Sequence, residues 1–91
     1  MINMAQVAVS SSTVTPVVAV PSGPCQVTIQ NNDATNYVTL GGSGVTAAHG
    51  FELDAGKSVT FSTFAGSTGQ EIYGLAHTAG VNVSVLISTN N

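Results

Sequence analysis

Val81-Asn82-Val83-Ser84-Val85-Leu86-Ile87 decides the fold class. Its odd positions are all β-branched and apolar, while its even positions hold Asn, Ser and Leu. A period of two residues places these sets on opposite faces of a strand, one toward a core and one toward water. Working toward the N-terminus, the same pattern recurs in short runs. Glu71–Ala76 carries Ile72, Tyr73 and Leu75, and Ser58–Phe61 turns Val59 and Phe61 inward. Phe51–Leu53, a short run Val45–Ala47, Tyr37–Leu40 and Cys25–Gln30 complete the set, the last with Cys25, Val27 and Ile29 on one face.

Turn chemistry separates the runs. Asn31-Asn32-Asp33-Ala34, Gly41-Gly42-Ser43-Gly44, His49-Gly50, Ala65–Gly69 and His77-Thr78-Ala79-Gly80 are rich in residues that tolerate or stabilise tight turns. In Asp54-Ala55-Gly56-Lys57, Gly56 stands where a positive φ is needed. No segment shows a helical apolar stripe with caps, and Val, Ile and Thr favour pleated backbone. The expected fold is all-β: a compact β-sandwich or small barrel of about seven short antiparallel strands. Pro21-Ser22-Gly23-Pro24 divides the chain. Residues 25–91 form the core, and residues 1–24 read as an extended N-terminal arm holding one or two short strands. Such an arm can pair at a sheet edge or lie on a neighbouring subunit.

Charge excludes whole classes of function. Of the 91 residues, Lys57 is the sole basic side chain, against Asp33, Glu52, Asp54 and Glu71. Charged content is 5%, where globular proteins average about 25%. Neutralising a phosphate backbone requires many cations, so nucleic acid is not an expected partner. No apolar run approaches the ~20 residues of a membrane span. A chain this short is marginally stable alone, and small domains usually add disulfides, a metal or oligomerisation. A single cysteine, Cys25, excludes an intrachain disulfide. Oligomerisation or docking on a larger partner is the remedy left.

No catalytic constellation emerges, and neither an enzyme nor a cofactor is expected. Gly41–Gly44 lacks the Lys-Ser/Thr of a phosphate loop, and Val45 stands where a nucleophile elbow around Ser43 needs glycine. His49 and His77 are far apart and match no metal-ligand spacing with Glu52, Asp54 or Glu71; both read as surface turn residues. Cys25 reads as a buried inert thiol. Phe51 and Phe61 read as core, and Tyr37 and Tyr73 as half-buried residues with their hydroxyls satisfied at a rim. Thr28, Thr39 and Thr60 each sit between apolar residues and read as the neutral solvent face of a sheet, the alternative being a flat ice-binding array.

Several stretches carry a family resemblance: Val27-Thr28-Ile29-Gln30-Asn31, Tyr37-Val38-Thr39-Leu40-Gly41-Gly42, Gly44-Val45-Thr46, Gly50–Val59 and Ile72-Tyr73-Gly74-Leu75-Ala76. In these the chain resembles the small all-β virion proteins of tailed bacteriophages, the capsid decoration or cement proteins and related head-associated proteins. The resemblance implies a non-enzymatic protein on the capsid exterior. Its partners would be the major capsid protein and copies of itself, with a trimer favoured. The arm would supply the contacts, with Val7, Val9, Val14, Val17 and Val18 as contact residues, through strand addition. The alternative is a tail- or fibre-associated module binding a host surface glycan through the loops 41–44 and 65–70.

Overall fold

The computed structural model describes residues 2–46, 49–63 and 69–89. Among these residues, eight antiparallel strands form two four-stranded sheets. They are β1 (Ile2–Val9), β2 (Thr15–Val20), β3 (Cys25–Asn31), β4 (Val38–Gly41), β5 (Phe51–Leu53), β6 (Ser58–Ser62), β7 (Gln70–Ala76) and β8 (Val81–Thr89). Sheet I has the order β1-β8-β3-β6, and sheet II the order β2-β7-β4-β5. The chain crosses between sheets at almost every turn, which makes this β-sandwich a jelly roll built from two Greek keys.

The alternating pattern of β8 becomes the spine of the core. Val81, Val83 and Val85 are buried, and β8 lies between β1 and β3. Val27, Ile29, Val38, Leu40, Leu53 and Ala76 meet them from both sheets. Each fully buried Val or Ile contributes roughly 1.5–3 kcal/mol relative to exposure. Gly74 is a packing requirement at the centre of sheet II. A Cβ there would lie 2.9 Å from Val17 Cγ2 and 3.4 Å from both Leu40 Cδ2 and Val9 Cγ1.

Gly56 has φ +75°, as the turn Asp54–Lys57 requires, and Lys57 N–H closes that turn on the Asp54 carbonyl. Tyr37 lies outside β4, which starts at Val38. Thr46 makes only an isolated bridge to His49, so the short strand expected at Val45–Ala47 is not formed at Val45 and Thr46, and Ala47 lies outside the described residues. Instead, Val45 and Gly50 lie over the outer surface of sheet II against Thr39, and Val45 and Thr39 are buried.

The N-terminal arm is corrected by the structure. Residues 2–9 pair along their whole length with β8, and residues 15–20 pair with β7. The segment does hold two strands and does pair at sheet edges, but these are edges of its own sandwich. The physical reason is that Val9, Val17, Val18 and Val20 complete the apolar layer between the sheets. Residues 1–24 are therefore not a separate unit from the core.

Candidate assembly surface

Three features remain after the core is filled: the outer face of sheet I, the strand edges, and the two open sides of the sandwich. The outer face carries no charge. Its rows run straight across four strands: Ile2–Ser88–Gln26–Ser62, Met4–Leu86–Thr28–Thr60 and Gln6–Ser84–Gln30–Ser58. Thr28 and Thr60 hydroxyls hydrogen-bond at 2.9 Å. Thr39, by contrast, is 2% exposed in the other sheet, beneath Val45 and Gly50, so the three threonines do not form one flat array.

The edges of the two sheets are built differently. Soluble proteins blunt sheet edges with proline, bulges, charge or short strands. Sheet II has all four: Pro16 and a register shift between Pro16 and Val18 on β2, and Glu52 on the three-residue β5. Sheet I has none. β1 is eight residues long with no charge and no proline, and β6 (Ser-Val-Thr-Phe-Ser) is also uncharged. Among the described residues, no strand covers the outer side of either. Ile2 and Met4, at 69% and 78% exposure, stand on β1 as bare apolar side chains.

Among the described residues, the sandwich is also open between its sheets on both sides. Between β5 and β6 lies an apolar groove of about 260 Å³, lined by Ile29, Leu40, Phe51, Val59, Phe61 and Ile72. Phe51 points inward by register yet is 55% exposed at its mouth; the expectation of a core residue holds for half-buried Phe61 but not for Phe51. Between β1 and β2 lies a slot of about 220 Å³, where Ala5 of β1 faces Val17, Val18 and Ala19 of β2.

The arm valines expected as partner contacts resolve into two groups. Val9, Val17 and Val18 are buried in the chain's own core, a correction that follows from β1 and β2 belonging to the sandwich. Val7 and Val14 are half-buried. The large apolar side chains of this region that stand exposed are Ile2 and Met4. Sequence reading missed them because a run without charge or strict alternation looked like an arm rather than an edge strand.

The polar groups form separate small sites. Tyr37 Oη and His77 Nδ1 lie 2.6 Å apart, their rings 4.6 Å between centroids. Tyr73 donates its hydroxyl to Glu71 Oε1 at 2.7 Å, which holds the phenol above its ordinary value. Both hydroxyls are thus satisfied at the surface. Glu52 is held above the usual carboxylate range, first by a hydrogen bond shared with Asp54, then by desolvation and by the Asp54 charge; His77 acts in the opposite direction. Asp33 is held below its ordinary value by the backbone N–H groups of Asn36 and Thr35. Among the described residues no three His, Cys, Asp or Glu side chains gather as a metal site. Cys25 is 5% exposed, with Sγ 3.2 Å from Thr63 Oγ1. Of the loops considered for a glycan, 42–44 are exposed, while 65–68 lie outside the described residues.

No family model and no curated protein matches the chain. A solved structure of a Bacillus endospore appendage protein, from a family described as disulfide-linked pili, is similar over 99% of this chain and 89% of that one. The TM-score is 0.53 and the identity 17%. The likeness is one of fold. It extends to the whole sandwich, β1 and β2 included, and the solved neighbour is not a phage protein.

Proposed function

We propose that this chain is a non-enzymatic structural subunit, incorporated into a multi-copy protein assembly through the edges of sheet I. The observation that carries this reading is the contrast between the two sheets. Sheet II has guarded edges, whereas sheet I leaves the uncharged β1 open with Ile2 and Met4 beside it. An open edge offers a ladder of main-chain hydrogen bonds to an added strand, and this mode of recognition needs no charge. The appendage protein with the same fold is itself a pilus component, which agrees with an assembling subunit.

Light scattering and native mass spectrometry of the purified chain over a range of concentrations test this. Species of several copies are expected. A 9.1 kDa particle at every concentration, with no affinity for another protein shell, contradicts the reading.

A second reading is favoured by the sequence stretches Tyr37–Thr46, Gly50–Val59 and Ile72–Ala76: decoration of the outer surface of a phage capsid. There the major capsid protein would supply the surface, and the chain would stabilise the head. Co-sedimentation with undecorated capsids separates the two readings. Saturable binding to shells by a chain that does not self-associate supports decoration; self-association without shell binding supports the first reading.

A further inference from the structure

The geometry points to a second copy of this chain as the occupant of the β1 edge, docked head to tail so that β1 of one copy pairs with β6 of the next. This rests on the assembly reading above and names its interface.

Strand direction comes first. Four antiparallel strands in the order β1-β8-β3-β6 leave β1 and β6 running in opposite directions. A copy moved sideways along the sheet, without being turned over, therefore brings its β1 antiparallel to the β6 it meets. Hydrogen-bonding phase comes next. In antiparallel sheets, bonded and non-bonded pairs alternate along each ladder and from one ladder to the next within a row. With an even number of strands and no register shift in the three ladders of sheet I, the outward-pointing groups of β1 and β6 fall in the same rows. The two edges are complementary in phase as well as direction.

Length and chemistry agree. The five residues of β6, Ser58–Ser62, occupy the same rows as Ile2–Gln6, the exposed half of β1. Continuing the rows sets Ser62 beside Ile2, Thr60 beside Met4 and Ser58 beside Gln6 of the next copy. On the inner face, Val59 meets the neighbour's Ala5. The apolar groove beside Val59, Phe61 and Phe51 then abuts the neighbour's slot between β1 and β2, and the open ends of two cores close on each other. Neither edge strand carries a charge, so no ion is desolvated by the contact.

The interface is heterologous, and such contacts give rings or open filaments according to whether the rotation closes. Sheet twist of about 20–25° per strand turns each four-stranded copy by about 80–100° about the stacking direction. Rotation about the axis of translation is a screw, so the product is an open thread, rising about 19 Å per copy at about 4.8 Å per strand.

Engineered cysteines test the pairing. Within one copy Met4 and Thr60 stand three strands apart, about 14 Å, beyond the ~7 Å reach of a disulfide. The double variant Met4→Cys/Thr60→Cys should give, under mild oxidation, a ladder of crosslinked multimers, while the parent chain with buried Cys25 gives none. Absence of the ladder from a chain that native mass spectrometry still finds as multimers overturns the β1–β6 pairing and leaves the assembly reading standing. A monomeric chain overturns both. A crosslinked dimer from Met4→Cys alone also overturns the proposal, because it reports β1 paired with β1 face to face.

Discussion

The side-chain amide of Asn31 donates a hydrogen bond to the Leu53 carbonyl at 3.0 Å, joining the end of β3 in sheet I to the end of β5 in sheet II. Its second amide hydrogen reaches the Asn36 carbonyl at 2.9 Å, and its Oδ1 accepts from Asp33 N–H. Asn31 is fully buried, and its own N–H donates to the Lys57 carbonyl. One side chain thus makes three hydrogen bonds that tie the β3–β4 connection to the end of β5 at the same end of the sandwich. Replacing Asn31 with Ala leaves two carbonyls and one N–H to find other partners, so Asn31→Ala should cost about 3 kcal/mol of stability. Denaturant unfolding followed by circular dichroism measures it; a loss under about 0.5 kcal/mol would show that the bonds are replaced by water.

Gly50 packs directly against sheet II. Its φ is +153°, and a Cβ there would lie 2.5 Å from Thr39 Cγ2, 2.7 Å from Val45 Cγ2 and 2.8 Å from the Leu40 carbonyl oxygen. Backbone strain and overpacking coincide, each of order 1–3 kcal/mol. Gly50→Ala should therefore push residue 50 and Val45 away from the sheet, destabilise the chain by about 2–4 kcal/mol and speed hydrogen exchange around Thr39 and Val45. Unchanged protection at Thr39 would refute that account of its burial.

The Glu52–Asp54 pair gives a pH dependence with a definite sign. Because Glu52 is raised in the folded chain, chiefly by Asp54, folding favours its protonated form. That contribution is full below the ordinary value of 4.5 and is lost as pH rises through the folded value. Asp33 behaves oppositely: its stabilisation is present above the ordinary 3.8 and lost as pH falls below it. Glu52→Gln should raise the melting temperature at pH 7 and lose that advantage at pH 4, while Asp33→Asn should lower it at both, a penalty that fades only as pH falls below 3.8. Both residues are at the surface, so salt should reduce both effects. Melting curves at the two pH values decide it.

The strand pattern was largely legible from Val81–Ile87, Cys25–Gln30 and Glu71–Ala76, because one buried face and one wet face impose alternation on residue type. The turn at Gly56 was legible because an αL position selects glycine. What sequence could not show was the order of strands in space. The choice of edge strand depends on pairings between β1 and β8 that are about eighty residues apart, and nothing local specifies them. Ala5 and Gln6 lack the branched residues of a central strand, so β1 read as an arm. Phe51 misled for a related reason: its alternation was right, but a side chain facing inward at an open side of a sandwich is not covered. The near-absence of cations and the surplus of neutral polar groups imply a surface suited to packing against protein, and the unguarded edges of sheet I are where that packing is proposed.

An inward-pointing lysine on an edge strand blocks strand addition while leaving the monomer intact, since the long side chain reaches water only while the edge stays open. Ala5, exposed in the slot between β1 and β2, is the position for it. Sedimentation velocity of the native chain beside Ala5→Lys at equal concentration tests edge assembly most directly. The native chain should sediment as multimers and Ala5→Lys as a folded 9.1 kDa monomer. Equal assembly of both, or a native chain that stays monomeric at high concentration, would contradict the account.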